Sequence, residues 1–412
     1  MCELTEALVA SQLARYSDGV PRVVVAGNHA TPFELLRVLD RELPEYKLVT
    51  INGQRGLPDR EGVLHESPFV GPGVRQSQRL SYLPSRLSLV PALFRTSLPP
   101  DVVLLHTSPP RDGVVSLGIE VNVLPAAVEA VRRRGGVVLA QVNPHMPWTA
   151  GDALLSTEEL DGMFLADRPL AVDTATTGSA AGEAMADRVS RLVGSGATLQ
   201  AGIGAVPDAV LSAMSGHRRL GVWTEMFSSG VLGLERAGAL DTDRPIVASF
   251  LFGDADLLAW VDDNPRVRMA RTETSNDPAR IACQPQMTSI NTALQVDLFG
   301  QANASWIGGR IYSGLGGQSD FVVGALHSEG GQAVLAVPSW HPKAMTSTVV
   351  SQLDGPVSSF QHSWIVSECG AAAIWSHPQT CQAHEIIESV AHPSVRARLR
   401  EEAAVRGLLS SR

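Results

Sequence analysis

Short runs of Val, Leu and Ile recur along the chain, each followed by a loop of Gly, Pro or Asn and then by a segment of helical period. The clearest runs are Arg22–Ala26, Val102–His106, Val137–Val142, Ile246–Leu251 and Ala333–Val337. Apolar residues there occupy successive positions rather than alternate ones, which predicts strands buried on both faces. The intervening patterns over Leu124–Arg134, Pro207–Met214 and Asp254–Val261 predict helices that cover those strands. Strand and helix in alternation give an α/β class with mainly parallel sheets. The stretch Thr174–Ala184 is small, polar and without apolar period, and it predicts a boundary between two α/β domains, 1–184 and 185–412. Alanine, glutamate, arginine and valine dominate Ala383–Leu409, which reads as closing helices on the surface.

Composition narrows the class of function. A chain of 412 residues has a prior of two to three domains. With 44% hydrophobic and 18% charged residues it is a folded, globular sequence. Its formal charge of -9 and its two lysines, Lys47 and Lys343, disfavour a polyanion-binding face, although a few local arginines suffice for a small anion. The four cysteines (Cys2, Cys283, Cys369 and Cys381) are scattered with no Cys-x-x-Cys pair, so neither structural zinc nor a disulfide framework is expected. No apolar stretch approaches the roughly 20 residues of a spanning helix, and Met1–Tyr16 lacks the pattern of a signal peptide. Cytoplasm is the expected compartment.

One local pattern already suggests a ligand. Ala197-Thr-Leu-Gln-Ala-Gly-Ile-Gly-Ala-Val-Pro-Asp208 predicts a strand running through Gly202, Ile203 and Gly204 into a helix with Pro207 in its first turn. Such a turn aims backbone N–H groups and a positive helix end beyond the strand, which suits phosphate or carboxylate; a tight turn with no ligand is the alternative.

Further segments, in order, give the chain a wider likeness. They are Ser108-Pro-Pro-Arg-Asp-Gly-Val-Val-Ser-Leu-Gly118, Gln141-Val-Asn-Pro-His-Met-Pro147, Ala166-Asp-Arg-Pro-Leu170, Gln200-Ala-Gly-Ile-Gly-Ala-Val-Pro207, Thr224-Glu-Met-Phe-Ser-Ser-Gly230, Ser289-Ile-Asn-Thr-Ala-Leu-Gln-Val-Asp-Leu-Phe-Gly-Gln301 and Tyr312-Ser-Gly-Leu-Gly-Gly-Gln-Ser-Asp-Phe321. Together they resemble the acetyl-CoA hydrolase/transferase family, which includes 4-hydroxybutyrate and acetate CoA-transferases. The resemblance implies two tandem α/β domains of CoA-transferase type with the active site in the cleft between them. It implies coenzyme A thioesters as substrates, a small carboxylate or other acceptor, no metal, and a homodimer. The implied chemistry is ping-pong: a glutamate carboxylate attacks an acyl-CoA, gives a mixed anhydride, and becomes a glutamyl-CoA thioester.

The resemblance also carries a departure. It places the nucleophilic glutamate in a pattern similar to Ser-Ile-Asn-Ser-Ala-Leu-Glu-Val-Asp-Leu, where this chain has Gln295. A carboxamide is uncharged and is a poor nucleophile. On this reading the transferase chemistry is modified, with Gln295 positioning water or another acceptor, or the nucleophile is displaced to Glu225 or Asp297. The alternatives are a catalytically reduced CoA-binding protein and a Glu-to-Gln variant of an ordinary transferase. Tyr312-Ser-Gly-Leu-Gly-Gly317 offers consecutive N–H groups for a thioester oxyanion, with Gly316 and Gly317 as catalytic candidates and Gly314 and Leu315 on CoA. Asn291 and Gln318 are candidate amide donors, Glu225 a candidate base, and Arg271 and Arg310 candidates for the CoA phosphates. His29, His145 and His341 read as turn or packing residues more than as site residues.

Overall fold

The computed structural model describes residues 5–172, 179–202, 204–357 and 361–409. Part of the expected domain boundary, 174–178, falls outside them. The chain forms two compact units: Met1–Thr174 with Ile246–Ser275 and Ile311–Gly316, and Ala175–Pro245 with Asn276–Arg310 and Gly317–Arg412. The units interleave along the chain. Ile246–Ala248 pairs in parallel with Val267–Met269, which pairs with Ala150–Gly151, and these distant pairings return residues 246–275 to the first unit.

The first unit is built on seven parallel strands, in the order Gly162–Leu165, Val137–Val142, Val102–Thr107, Arg22–Val25, Tyr46–Ile51, Val63–Phe69 and Leu80–Tyr82. The expected runs at residues 22, 102 and 137 therefore lie side by side at its centre. All six residues of Val102–Thr107 and of Val137–Val142 are buried, as a sheet covered on both faces requires. Helix Phe33–Glu42 gives Leu35, Leu36, Val38 and Leu39 to the core, and helix Leu124–Arg133 gives Leu124, Val128 and Val131. Each such side chain taken out of water contributes about 1.5–3 kcal/mol. One buried ion pair ties the sheet's strands: Arg22 Nε lies 2.7 Å from Glu66 Oε2 and its second arm 3.2 Å from Oε1.

The second unit repeats the plan. Thr198–Ala201 pairs in parallel with Gly221–Trp223 on one side and Thr288–Asn291 on the other, and Gln332–Ala336 and Trp364–Val366 follow in parallel. Ala371–Ala373 closes the edge antiparallel. The C-terminal segment is more than a surface cover, because Ala383, Ile386, Ile387, Val390, Leu399, Ala403 and Leu408 join Val296, Leu298 and Val349 in one buried cluster. Both units are therefore mixed α/β with largely parallel sheets. No helix among the described residues is long and apolar enough to cross a membrane.

Candidate active site

The strand Gly221–Trp223 ends in Thr224 and Glu225. Thr224 is buried, and its hydroxyl donates to the Met226 carbonyl at 2.7 Å, which fixes the short turn carrying Glu225. The fully buried Asn276 donates from Nδ2 to Glu225 Oε2 at 2.6 Å. Burial pushes the Glu225 carboxyl up to about 7; the Asn276 hydrogen bond opposes the rise, and the buried Asp320 adds to it by charge repulsion. Asp320 stands in the first turn of helix Gln318–His327, which Gly317 caps.

Gly317 is required at this point by space rather than by backbone angle. Its φ of -102° is open to any residue. A β-carbon there would lie 2.0 Å from Glu225 Oε2 and 2.2 Å from Asn276 Nδ2. The carboxylate, the amide and a bare helix N-terminus thus meet within the second unit. The first N–H groups of a helix have no partner inside it and favour developing negative charge. Beside them, the Gln318 side-chain Nε2 is buried without a hydrogen-bond partner.

The other expected site residues stand on several elements. Gln295 lies on the strand Gln295–Asp297, in a separate three-stranded sheet with Ala302–Asn303 and Val349–Val350. Asp297 accepts the backbone N–H groups of Phe299, Gln301 and Leu353, so it organises a turn. Asn291 exchanges hydrogen bonds with Gln200, donating at 3.1 Å and accepting at 3.4 Å, which satisfies both amides. Gly202 and Gly204 border the helix Ala205–Ala213, with Gly204 as its cap at φ +113°; Ile203 lies outside the described residues.

In the first unit, Gly314 bridges Phe69, and a β-carbon on it would meet the Pro68 carbonyl at 2.5 Å. Gly316 accepts from the Leu87 N–H and sits at φ +56°, so close backbone packing is the immediate reason for Gly314 and the left-handed backbone for Gly316; Leu315 between them is half-buried. Arg271 is a sequence candidate for the CoA phosphates. Its two arms hold Glu129 at 2.6 Å and Glu273 at 2.8 Å, a structural ion-pair centre. Arg310 is exposed. His29 packs edge-on against Phe252, His145 pairs with Asp167 at 2.9 Å, and His341 Nδ1 accepts the Ala344 N–H. Asn276 stands in no glycine or strand-end pattern of the sequence, whereas Asp320 lies in the glycine segment Tyr312–Phe321 without being a candidate there.

Two largely parallel α/β units and a desolvated carboxylate beside a glycine-capped helix define a two-domain enzyme of CoA-transferase fold. A solved 4-hydroxybutyrate CoA-transferase from Porphyromonas gingivalis superposes with a TM-score of 0.82 at 28% identity, covering 98% of this chain and 97% of that one. The Acetyl-CoA hydrolase/transferase N-terminal domain matches residues 59–172, and the C-terminal domain of the same name matches 253–403. A succinyl-CoA:acetate/propanoyl-CoA:succinate CoA transferase of Fasciola hepatica is 36% identical over 94% of this chain and 85% of its own length. A 4-hydroxybutyrate coenzyme A transferase of Clostridium kluyveri is 33% identical over 92% of this chain and 93% of its own. The chain belongs to the acetyl-CoA hydrolase/transferase family and is an enzyme of that family. Among the described residues no group of three or more His, Cys, Asp or Glu could hold a metal ion.

Proposed function

We propose that the protein is an acyl-CoA:carboxylate CoA-transferase whose nucleophile is Glu225, and that Gln295 takes no covalent part. The observation that carries this reading is the Glu225 carboxyl itself, held at 2.6 Å by a buried amide and set against Gly317, where a β-carbon would lie 2.0 Å from its Oε2. A carboxylate can form both the anhydride and the thioester that transfer needs, and a carboxamide at residue 295 removes neither.

Glu225 Oε attacks the thioester carbonyl, the C–S bond breaks, and CoA thiolate leaves an acyl-glutamyl anhydride. The thiolate then attacks the glutamyl carbonyl, the acyl carboxylate departs, and a Glu225-CoA thioester remains. An incoming carboxylate attacks that thioester and reverses the sequence. Asn276 orients the carboxylate, while the N–H groups at the start of helix Gln318–His327 and the unpartnered Gln318 amide are suited to the oxyanion that develops at each step. The two named transferase relatives, which span nearly the whole chain, support transfer over hydrolysis.

Exposure to propionyl-CoA without acceptor should add the mass of CoA less water to the intact protein, with peptide mapping to Glu225. An adduct mapped to Asp297 or to no carboxylate overturns the assignment. Acetate should discharge the adduct as acetyl-CoA; release of free CoA at the same rate with and without acetate would instead make the protein a hydrolase. The reading carries with it the cytoplasmic homodimer expected from the sequence, and light scattering on the eluted protein checks the subunit number.

A further inference from the structure

The first unit contains a cleft of about 640 Å³. Its place follows from sheet topology. The chain leaves Arg22–Val25 toward Tyr46–Ile51 on one side, while Val102–Thr107 lies on the other, so strand order reverses between the residue 22 and residue 102 strands. In open parallel sheets the loops beyond the carboxyl ends of such strands part and leave a crevice for ligands. His29, just past the first strand, His106 near the end of the second, and Gln141 and Asn143 at the end of the third all line the cleft.

The cleft's charge is opposite to that of the chain as a whole. Arg37, Arg55 and Arg168 line it against a single carboxylate, Glu34. The inner wall is polar and neutral. His106 Nδ1 faces the Ala30 carbonyl at 3.2 Å and therefore carries the proton, which leaves Nε2 to accept from Asn143 Nδ2 at 3.1 Å. Glu34 accepts from Gln141 Nε2 at 3.2 Å and lies 3.4 Å from Arg37 and 3.7 Å from Arg168, and those arginine side chains are 68% and 69% exposed. Exposed pairs of this kind are worth little and are readily exchanged for a doubly charged ligand. Phe33 supplies a flat wall facing Gly56, where the missing side chain leaves the ring edge open.

We propose that this cleft binds a nucleotide-sized phosphate ester, with its phosphates on Arg37, Arg55 and Arg168 and its apolar part against Phe33. The volume falls in the range of small-molecule sites and is several times what inorganic phosphate or acetate fills. The same chemistry is offered by a free nucleotide and by the phosphorylated adenosine end of a CoA thioester, and only the second source rests on the proposed transferase reading.

The test is calorimetric titration of the full chain with ADP at low ionic strength. Saturable binding is expected, with Arg55→Ala and Arg168→Ala each weakening it by about tenfold or more, and Glu34→Gln tightening it. Repetition in saturating CoA separates the sources. Loss of ADP binding, with a raised KM for acyl-CoA in Arg168→Ala at unchanged kcat, identifies the CoA nucleotide; undiminished binding identifies a free nucleotide. Glu225→Gln should bind ADP like the parent, so a failure of the covalent mechanism leaves this result intact. No ADP binding at millimolar concentration, affinity unchanged in both arginine variants, or tighter binding of citrate than of ADP overturns the proposal. Circular dichroism on each variant guards against loss through misfolding.

Discussion

Gly317→Ala is the sharpest perturbation of the proposed site, because it adds one carbon and changes nothing else. Its φ of -102° lies in a region that alanine occupies freely, so the backbone has no cause to move. The new β-carbon would be 2.0 Å from Glu225 Oε2 and 3.1 Å from its Cδ. Real β-carbons almost never approach a heavy atom below 3.0 Å, so the carboxylate must retreat by about 1 Å. That retreat also breaks the 2.6 Å hydrogen bond from Asn276, whose Nδ2 would itself lie 2.2 Å from the new carbon. Displacing a reacting atom by about 1 Å costs on the order of 10²-fold in rate. Crowding of this size costs about 1–3 kcal/mol of stability, which a 412-residue chain tolerates.

We therefore expect kcat for acetate-dependent CoA exchange from propionyl-CoA to fall about 100-fold while the thermal transition stays cooperative. Asn276→Ala removes the same hydrogen bond, so the double variant should lose less than the product of the two single losses. A Gly317→Ala protein that retains kcat within about threefold, and forms the covalent adduct at the parental rate, refutes the role given to this contact.

Titration of Glu225 gives two further outcomes. Attack requires the ionised carboxylate, so kcat/KM should fall about tenfold per pH unit below a midpoint near 7, and a midpoint near 4.5 would remove the desolvation argument. The folded protein holds this proton more tightly than the unfolded chain, so stability is lost as pH rises from about 4.5 through about 7. Glu225→Gln should consequently stabilise by up to about 3 kcal/mol in urea at pH 8 and by nearly nothing at pH 4, while forming no thioester. Gln295→Glu should leave transfer within about threefold of the parent and yield no adduct at residue 295, as peptide mapping reads; a large gain in rate would return the nucleophile to that position. Arg22→Ala leaves Glu66 buried and unpaired and should cost about 3 kcal/mol, measured as a lowered urea midpoint with kcat unchanged.

What the sequence made legible follows from which contacts are local. Val102–Thr107 and Val137–Val142 announce themselves because both faces of a central strand are buried, and six apolar or neutral residues in a row record that. Leu80–Tyr82 leaves no such record, since three half-buried residues at a sheet edge alternate no more than a loop does. The run Ile246–Leu251 reads as one strand but breaks at Ser249, whose hydroxyl turns to the Ala270 carbonyl at 2.6 Å. The interleaving of the units depends on pairings across more than 100 residues, which no local pattern encodes. The site divides in the same way. Glu225 is visible as an acid after an apolar run, whereas its partner Asn276 is 51 positions away. Arg271 looks like any available cation until Glu129, 142 positions distant, is found on it.

The burial that raises Glu225 also bears on why such a site would transfer CoA rather than hydrolyse it. A nucleophile must be ionised to attack, and an environment that only desolvated the carboxylate would keep it protonated and idle. Asn276 opposes that drift with a single charge-assisted hydrogen bond, so the midpoint settles near neutrality instead of far above it. A carboxylate of that basicity attacks more readily than one at 4.5, yet about half of it is ionised at pH 7. On the proposed mechanism, an acceptor that carries its own negative charge is favoured at the helix end once the thioester forms. An acceptor carboxylate brings that charge and water does not. Selectivity for transfer would then arise from the electrostatics that tune Glu225, with no separate device needed to exclude solvent.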